Sequence, residues 1–278
     1  SLKSEARDSA GNLVFSTLSE VEKAAIRTHD LSIIRNPYVI IGAIVVLVFI
    51  IIAITKMPNT QLSKKKSDDS ARACAKRLFK NHNYREGVIA QFFYVGAQIM
   101  CWTFIIQYGT RIFMEQGMQE QAAEVLSQKY NIFAMIVFCA SRFINTYLLK
   151  FFNPGRLLRA LAVAASILTV GVIGFQSIIG LYCLVAVSVC MSLMFPTIYG
   201  IALRGMGGDA KFGAAGLIMA ILGGSVLPPL QALIIDLETI GTSFPAVNAS
   251  FVLPFICFVV VAWYGGQAYG RSRYSIYG

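Results

Sequence analysis

Carboxylates are excluded from long stretches of this chain, and that exclusion constrains its fold more than any other feature. No Asp or Glu occurs between Glu86 and Glu115, between Glu124 and Asp209, between Asp209 and Asp236, or after Glu238. An ionised group inside hydrocarbon is costly, so such stretches suit a bilayer interior. Seven apolar segments approach the roughly 20 residues that a helix needs to cross a membrane. They are Pro37–Met57, Gly87–Phe113, Tyr130–Lys150, Leu157–Phe175, Ile178–Leu203, Gly213–Ile235 and Ala246–Gln267. Charged residues make up 14% of the chain, against about 25% in a soluble domain. The runs are too long and too uniformly apolar for barrel strands. The expected fold is an all-α membrane protein with about seven transmembrane helices.

Lys and Arg in the short loops set the expected orientation. The loop after the first segment holds Lys56, Lys64, Lys65, Lys66, Arg72, Lys76, Arg77, Lys80 and Arg85. Lys150, Arg156 and Arg159 follow the third segment, Arg204 and Lys211 the fifth, and Arg271 and Arg273 the last. The opposite side has Arg111 and Lys129, and no basic residue between Ile235 and Ala246. This asymmetry predicts a cytoplasmic C-terminus and puts residues 1–36 outside. It also accounts for the net charge of +10 without nucleic acid. The Lys64–Arg85 stretch reads as a solvated loop, with anionic lipid headgroups as a second possibility.

Residues 1–36 are polar and charge-balanced, with a capping-box pattern at Ser19-Glu20-Val21-Glu22. They lack the pattern of a signal peptide. A polar outside segment with nothing to translocate it suggests that the chain is the back part of a longer membrane protein. The six Cys residues show no metal-ligand spacing with a His nearby, and a packing role is the simpler reading. His29 and His82 lie outside the spans. No catalytic motif, cofactor site or metal site is legible, so an enzyme is not expected. Asn248-Ala249-Ser250 matches a glycosylation sequon but sits against the last span.

The informative residues are polar stripes within the spans. Gln91, Tyr94, Gln98 and Trp102 recur at i, i+3, i+7 and i+11, sharing an arc of roughly 80°. A buried amide needs a partner. Either these groups bond helix to helix, or they line a solute path, where amides meet hydroxyls and an aromatic face covers a sugar ring. Ser188, Ser192, Phe195 and Tyr199 form a second stripe, beside Pro196. Gly216, Ala220 and Gly224 make a small-residue ridge, for which close helix packing is the default and a moving gate the sharper option. Pro228-Pro229 is expected to break that helix near its outer end.

At these residues the chain resembles the fucose–proton symporter family of the major facilitator superfamily. Gly87-Val88-Ile89-Ala90-Gln91-Phe92-Phe93-Tyr94-Val95-Gly96-Ala97-Gln98, with Cys101-Trp102 and Gln107-Tyr108, is similar to that family's seventh helix. Phe195-Pro196-Thr197-Ile198-Tyr199, Gly208-Asp209-Ala210-Lys211-Phe212-Gly213 and Met219-Ala220-Ile221-Leu222-Gly223-Gly224 resemble its tenth and eleventh. Arg142-Phe143 resembles the Gly-Arg-Phe of the eighth, with Ser141 in place of the glycine. The inner loop that follows lacks the acidic residue of the superfamily's loop motif.

The resemblance implies helices six to twelve of a twelve-helix permease, whose substrates are monosaccharides of the fucose, glucose and galactose class moved with a proton or another cation. Its implied organisation is an extracytoplasmic segment at 1–36, a helix ending the N-terminal half at 37–57, a basic cytoplasmic loop at 58–86, a six-helix transport domain at 87–270 and a cytoplasmic tail at 271–278. Gln91, Tyr94, Gln98, Trp102, Ser192 and Phe195 are the expected sugar-binding residues. Arg142, Pro196, Asp209, Lys211, Gly223, Gly224 and Pro228 are expected to serve gating. The expected spans contain no Asp, Glu or His, so the coupling cation is expected to bind mainly in the N-terminal half. The expected location is the plasma membrane, in a bacterium the inner membrane. The competing readings are a seven-helix receptor and a scaffold subunit without transport. The long basic loop after the first span and the lack of an Asp-Arg-Tyr-like triplet after the third argue against a receptor.

Overall fold

The computed structural model describes residues 39–47, 49–51, 71–237, 239–240 and 244–274, with positions 21, 23, 26, 31 and 35. The capping box and most of the polar segment and basic loop lie outside the described residues. The chain divides into two compact units, Ser1–Gln61 and Leu62–Gly278. In the first, an apolar helix α1 (Val39–Ile51) falls within the first expected span.

The second unit begins with α2 (Ala71–Lys80), followed by α3 (His82–Glu115), α4 (Glu120–Leu148), α5 (Pro154–Gly174), α6 (Ile178–Met191) and α7 (Met194–Leu203). A 3-10 turn at Gly207–Asp209 leads into α8 (Ala210–Met219), and a second at Ala220–Leu222 leads into α9 (Gly223–Ile235). Two-residue strands β1 (Thr239–Ile240) and β2 (Phe244–Pro245) pair antiparallel in the next connection. The chain then runs through α10 (Ala246–Ser250) and α11 (Val252–Tyr274). Among the described residues, six helical stretches are long and apolar enough to cross a membrane: His82–Glu115, Glu120–Leu148, Pro154–Gly174, Ile178–Leu203, Gly207–Ile235 and Ala246–Arg271.

Local chemistry explains where these helices start and break. Asn81 caps α3, its side-chain oxygen accepting from the N–H groups of Asn83 at 3.0 Å and Tyr84 at 3.3 Å. Asn153 caps α5 through the N–H of Gly155 at 3.0 Å, with Pro154 at the position where a missing N–H costs nothing. Such caps are worth about 1 kcal/mol each. They are polar, so an apolar-run reading started α3 and α5 several residues late. The fifth expected span is interrupted between Met191 and Met194. Pro196 would press its ring against the Ser192 carbonyl in a continuous helix, and the interruption falls there. In the sixth span the break lies at Ala220–Leu222, and α9 runs unbroken through Pro228 and Pro229. The expected interruption at the proline pair is thereby corrected. Both prolines follow the 3-10 turn closely, so the carbonyls they leave unpaired belong to the first turns of α9.

Lipid is as apolar as the side chains it meets, so helices in a bilayer associate by close packing and hydrogen bonding. Helix α3 is central and packs against α4, α7, α9 and α11, while α5 pairs with α11. The backbones approach closely where glycine allows it. A Cβ on Gly265 would lie 2.8 Å from the backbone nitrogen of Arg159, fixing the α5–α11 crossing. A Cβ on Gly223 would collide with the carbonyl of Phe92, so α9 lies directly against α3. Tyr94, Tyr108, Tyr264, Phe251 and Phe258 fill the interior. Phe143, Ile167 and Met219 project outward, as a surface solvated by acyl chains requires. Of the small-residue ridge, Gly216 abuts the Tyr84 hydroxyl and Gly224 abuts Val95 and Ile99, which makes it a packing seam against α3.

Candidate functional site

The α3 stripe and the α6–α7 break come together. Tyr94 is fully buried, and its hydroxyl donates to the Met191 carbonyl at 2.9 Å, at the end of α6. Its ring meets Phe195 edge-on, with centroids 6.3 Å apart. About two turns further along α3, the Trp102 indole N–H points at Ser188 Oγ at 3.4 Å, and its ring stacks T-shaped on Phe138 at 4.9 Å. The Asn145 amide of α4 donates to Ser192 Oγ at 2.7 Å and to the Val189 carbonyl at 3.1 Å. Ser192 is itself buried and donates to Val189 at 2.9 Å. Helices α3 and α4 thus both supply polar groups to the interrupted backbone of α6–α7, as membrane proteins require where a helix is broken.

The six expected sugar-binding residues separate by exposure. Gln98, Trp102 and Phe195 are half-buried. Gln98 makes no hydrogen bond with any of the described residues, so its amide is available to a ligand. Tyr94 and Ser192 lie behind them, already bonded. Gln91 is completely buried, and neither its Nε2 nor its Oε1 has a partner among the described residues. Asn145 was missed by the sequence reading, because Asn in an apolar run carries no motif. Its signal was its position one turn after Ser141 and Arg142.

The expected gating residues occupy four places. Arg142 is exposed on α4. Pro196 sits at the α6–α7 break, and Gly223, Gly224 and Pro228 on α9 against α3. Asp209 is held at the basic end of the bundle. Its carboxylate takes two parallel bonds from Arg77 of α2, Nε to Oδ2 and Nη2 to Oδ1, both 3.0 Å. It also accepts from the Cys74 thiol at 3.3 Å. Burial pushes the Cys74 thiol up from its usual range, and the adjacent Asp209 charge adds to this, so the group stays a thiol and a donor near neutral pH. Lys211, the other half of the expected motif, is exposed.

The opposite end is closed by Asn248. Its amide donates to the Val172 carbonyl at 3.1 Å and its oxygen accepts from Arg111 at 3.2 Å. This buried side chain has no room for a glycan, so the sequon is a structural Asn. All six cysteines are free. Among the described residues no cluster of His, Cys, Asp and Glu could hold a metal ion.

No family model matches the chain. It is 51% identical over 269 residues to an L-fucose-proton symporter of Haemophilus influenzae, an alignment covering 96% of this chain and 60% of that protein. It is 32% identical to an L-fucose-proton symporter of Escherichia coli, covering 86% and 53%, and 27% identical to a glucose/galactose transporter of Brucella abortus, covering 84% and 53%. The chain therefore spans little more than half the length of these relatives. Its fold matches the crystal structure of the E. coli fucose:proton symporter with a TM-score of 0.78, 28% identity, and coverage of 96% of this chain and 62% of that one. A structure of the same major facilitator superfamily transporter in its outward conformation matches equally, with a TM-score of 0.78 and 29% identity. The resemblance of this chain to the fucose–proton symporter family of the major facilitator superfamily, read first from its motifs, holds along almost its whole length.

Proposed function

We propose that this chain is the C-terminal part of a monosaccharide permease that carries a sugar together with a cation, a proton, by alternating access. The relatives transport L-fucose or glucose and galactose, and sugars of that class are the proposed substrates. The proposed domains are those of the sequence reading, with residues 87–270 as the transport domain. The basic end, where Arg77, Arg204 and Arg271 gather, faces the cytoplasm of a bacterial inner membrane. The coupling group belongs to the rest of the transporter. Asp, Glu and His occur in the described spans only at or near their ends, and coupling needs a titratable group within the membrane.

The observation that carries the reading is the half-buried face of Gln98, Trp102 and Phe195, beside a broken helix whose Val189 and Met191 carbonyls are already bonded by Asn145, Ser192 and Tyr94. Transporters built from repeats bind solute near the bilayer midplane between their halves. A sugar ring on Trp102 gains on the order of 1 kcal/mol, and an amide–hydroxyl bond about as much. In the intact transporter Gln98→Ala and Trp102→Ala should each weaken sugar binding roughly five- to tenfold, while Trp263→Phe leaves it unchanged. Parent-like affinity for fucose, glucose and galactose in both folded variants would reject the assignment.

A further inference from the structure

A cavity of about 730 Å³ opens at the basic end of the bundle; its wall reaches Pro196 and Thr197 at the start of α7 but includes none of Gln98, Trp102 and Phe195. It lies between α3, α5, α7 and α11 and the α4–α5 turn, and its lining includes Asn83, Asn153, Arg204 and Arg271 but no carboxylate. Its size is that of a small-molecule site.

The polar groups at its mouth are fixed in place. Asn83 Nδ2 donates to the Ile201 carbonyl at 2.9 Å, tying α3 to α7. Arg271 of α11 donates from Nη1 to Asn83 Oδ1 at 3.2 Å and from Nη2 to Glu86 Oε2 at 2.7 Å. Arg204 has no such partner among the described residues. It stands at the end of α7 as an uncompensated guanidinium. The 21-residue helix α5 starts at the same wall, adding the positive end of its dipole. Gly200, facing the cavity, has nothing within 4 Å of where a Cβ would be, so the space reaches the α7 backbone. A planar guanidinium suits a phosphate group, which it grips through two N–H donors.

We propose that this cavity binds a phosphate-bearing ligand, with Arg204 as its principal anchor and Arg271 and Asn83 as the preset second side. Such a ligand would bridge α3, α5, α7 and α11 and hold the basic end in its described arrangement. The proposal does not depend on which solute the transporter carries. The phosphate can belong to a soluble phosphomonoester or to a lipid headgroup, and the test separates these sources.

In one arm, thermal stability and binding of the purified intact transporter in neutral detergent are measured with inorganic phosphate and with glucose 6-phosphate, at constant ionic strength, using glucose as the control. In the other, the protein is placed in phosphatidylglycerol or phosphatidylcholine nanodiscs. Parent and Arg204→Gln are compared in both. Arg204 is exposed and unpaired, so this variant should fold. Saturable binding of inorganic phosphate or glucose 6-phosphate, weakened at least tenfold by Arg204→Gln and several-fold by Arg204→Lys, supports a soluble ligand. Stabilisation by phosphatidylglycerol alone, lost in Arg204→Gln, supports a headgroup. A response to neither probe, or one unchanged in Arg204→Gln, overturns the proposal.

Discussion

Gln91 poses the sharpest energetic question in the bundle. It is completely buried, and both polar atoms of its amide lack partners among the described residues. A buried polar group left unsatisfied costs about 1–3 kcal/mol. Methionine has nearly the same length and volume and no strong polar atom, and swaps that conserve volume disturb packing little. Gln91→Met should therefore stabilise the described conformation by about 1–3 kcal/mol, raising the melting temperature by a few degrees at roughly 2–4 °C per kcal/mol for a chain of this size. Gln98→Met, at a half-open position, should show no comparable gain. A costly amide is retained where another conformation or a ligand satisfies it, so Gln91→Met should also slow sugar uptake several-fold. Melting of the intact transporter in detergent and counterflow in liposomes measure the two effects. A Gln91→Met protein that melts below the parent would refute the reasoning, because the amide would then be satisfied in the described state.

The other expectations concern packing, the clamp at Asp209 and orientation. Gly223→Ala should destabilise by roughly 1–3 kcal/mol, because the new methyl meets the Phe92 carbonyl rather than a movable side chain; Gly224→Ala, whose nearest neighbours are the Ile99 and Val95 side chains with backbone no closer than 3.8 Å, should cost less, and equal melting temperatures would count against the crossing described. Asp209→Asn should speed alkylation of Cys74 near neutral pH, since losing the carboxylate removes a charge that raises the thiol while Arg77, which lowers it, remains; an unchanged rate would mean that burial alone protects the thiol. In a Cys-free intact transporter, Glu115→Cys should react with an impermeant maleimide outside the cell and Lys211→Cys should not; the reverse pattern would invert the orientation.

The spans were legible because hydrocarbon imposes a length and excludes carboxylates, and both constraints are one-dimensional. Their ends were less legible. Asn81 and Asn153 begin helices that an apolar-run reading starts later. The interruption between Met191 and Met194 has its cause in Pro196, whose ring would meet the Ser192 carbonyl, but nothing in the sequence marks Ala220–Leu222, because no proline sits at it; the prolines at 228 and 229 drew the expected break downstream instead. The α3 stripe put Gln91, Tyr94, Gln98 and Trp102 on one arc, yet periodicity does not distinguish a side chain bonded inside the bundle from one left open. Tyr94 and Gln98 lie on the same arc, and only the position of the Met191 carbonyl separates their roles. Asn145 and the Arg77–Asp209 pair were invisible for the same reason. Each depends on a partner more than 40 residues away in sequence.

The broken helix decides how much recognition this half of the fold can offer. Interrupting α6–α7 releases carbonyls at Val189 and Met191, and Asn145, Ser192 and Tyr94 are spent on them. On the half-buried face beside the break that leaves the Gln98 amide open, with the Trp102 and Phe195 rings beside it and the exposed Arg142 on the neighbouring helix, while the equally unpaired Gln91 amide is fully enclosed. A hexose carries several hydroxyls, each able to donate and accept. One amide answers at most a few of them, whereas the rings cover its apolar face without regard to which hydroxyls are axial. If the proposed sugar site is right, such a surface should retain many monosaccharides and discriminate among them weakly, because strong discrimination comes from buried groups left unpaired by the wrong ligand. Selectivity between fucose-like and glucose-like substrates is therefore assigned to groups facing this surface from elsewhere in the transporter. Exchanging the Gln98–Trp102 face between two such permeases should change affinity for all their sugars together and leave their order of preference intact.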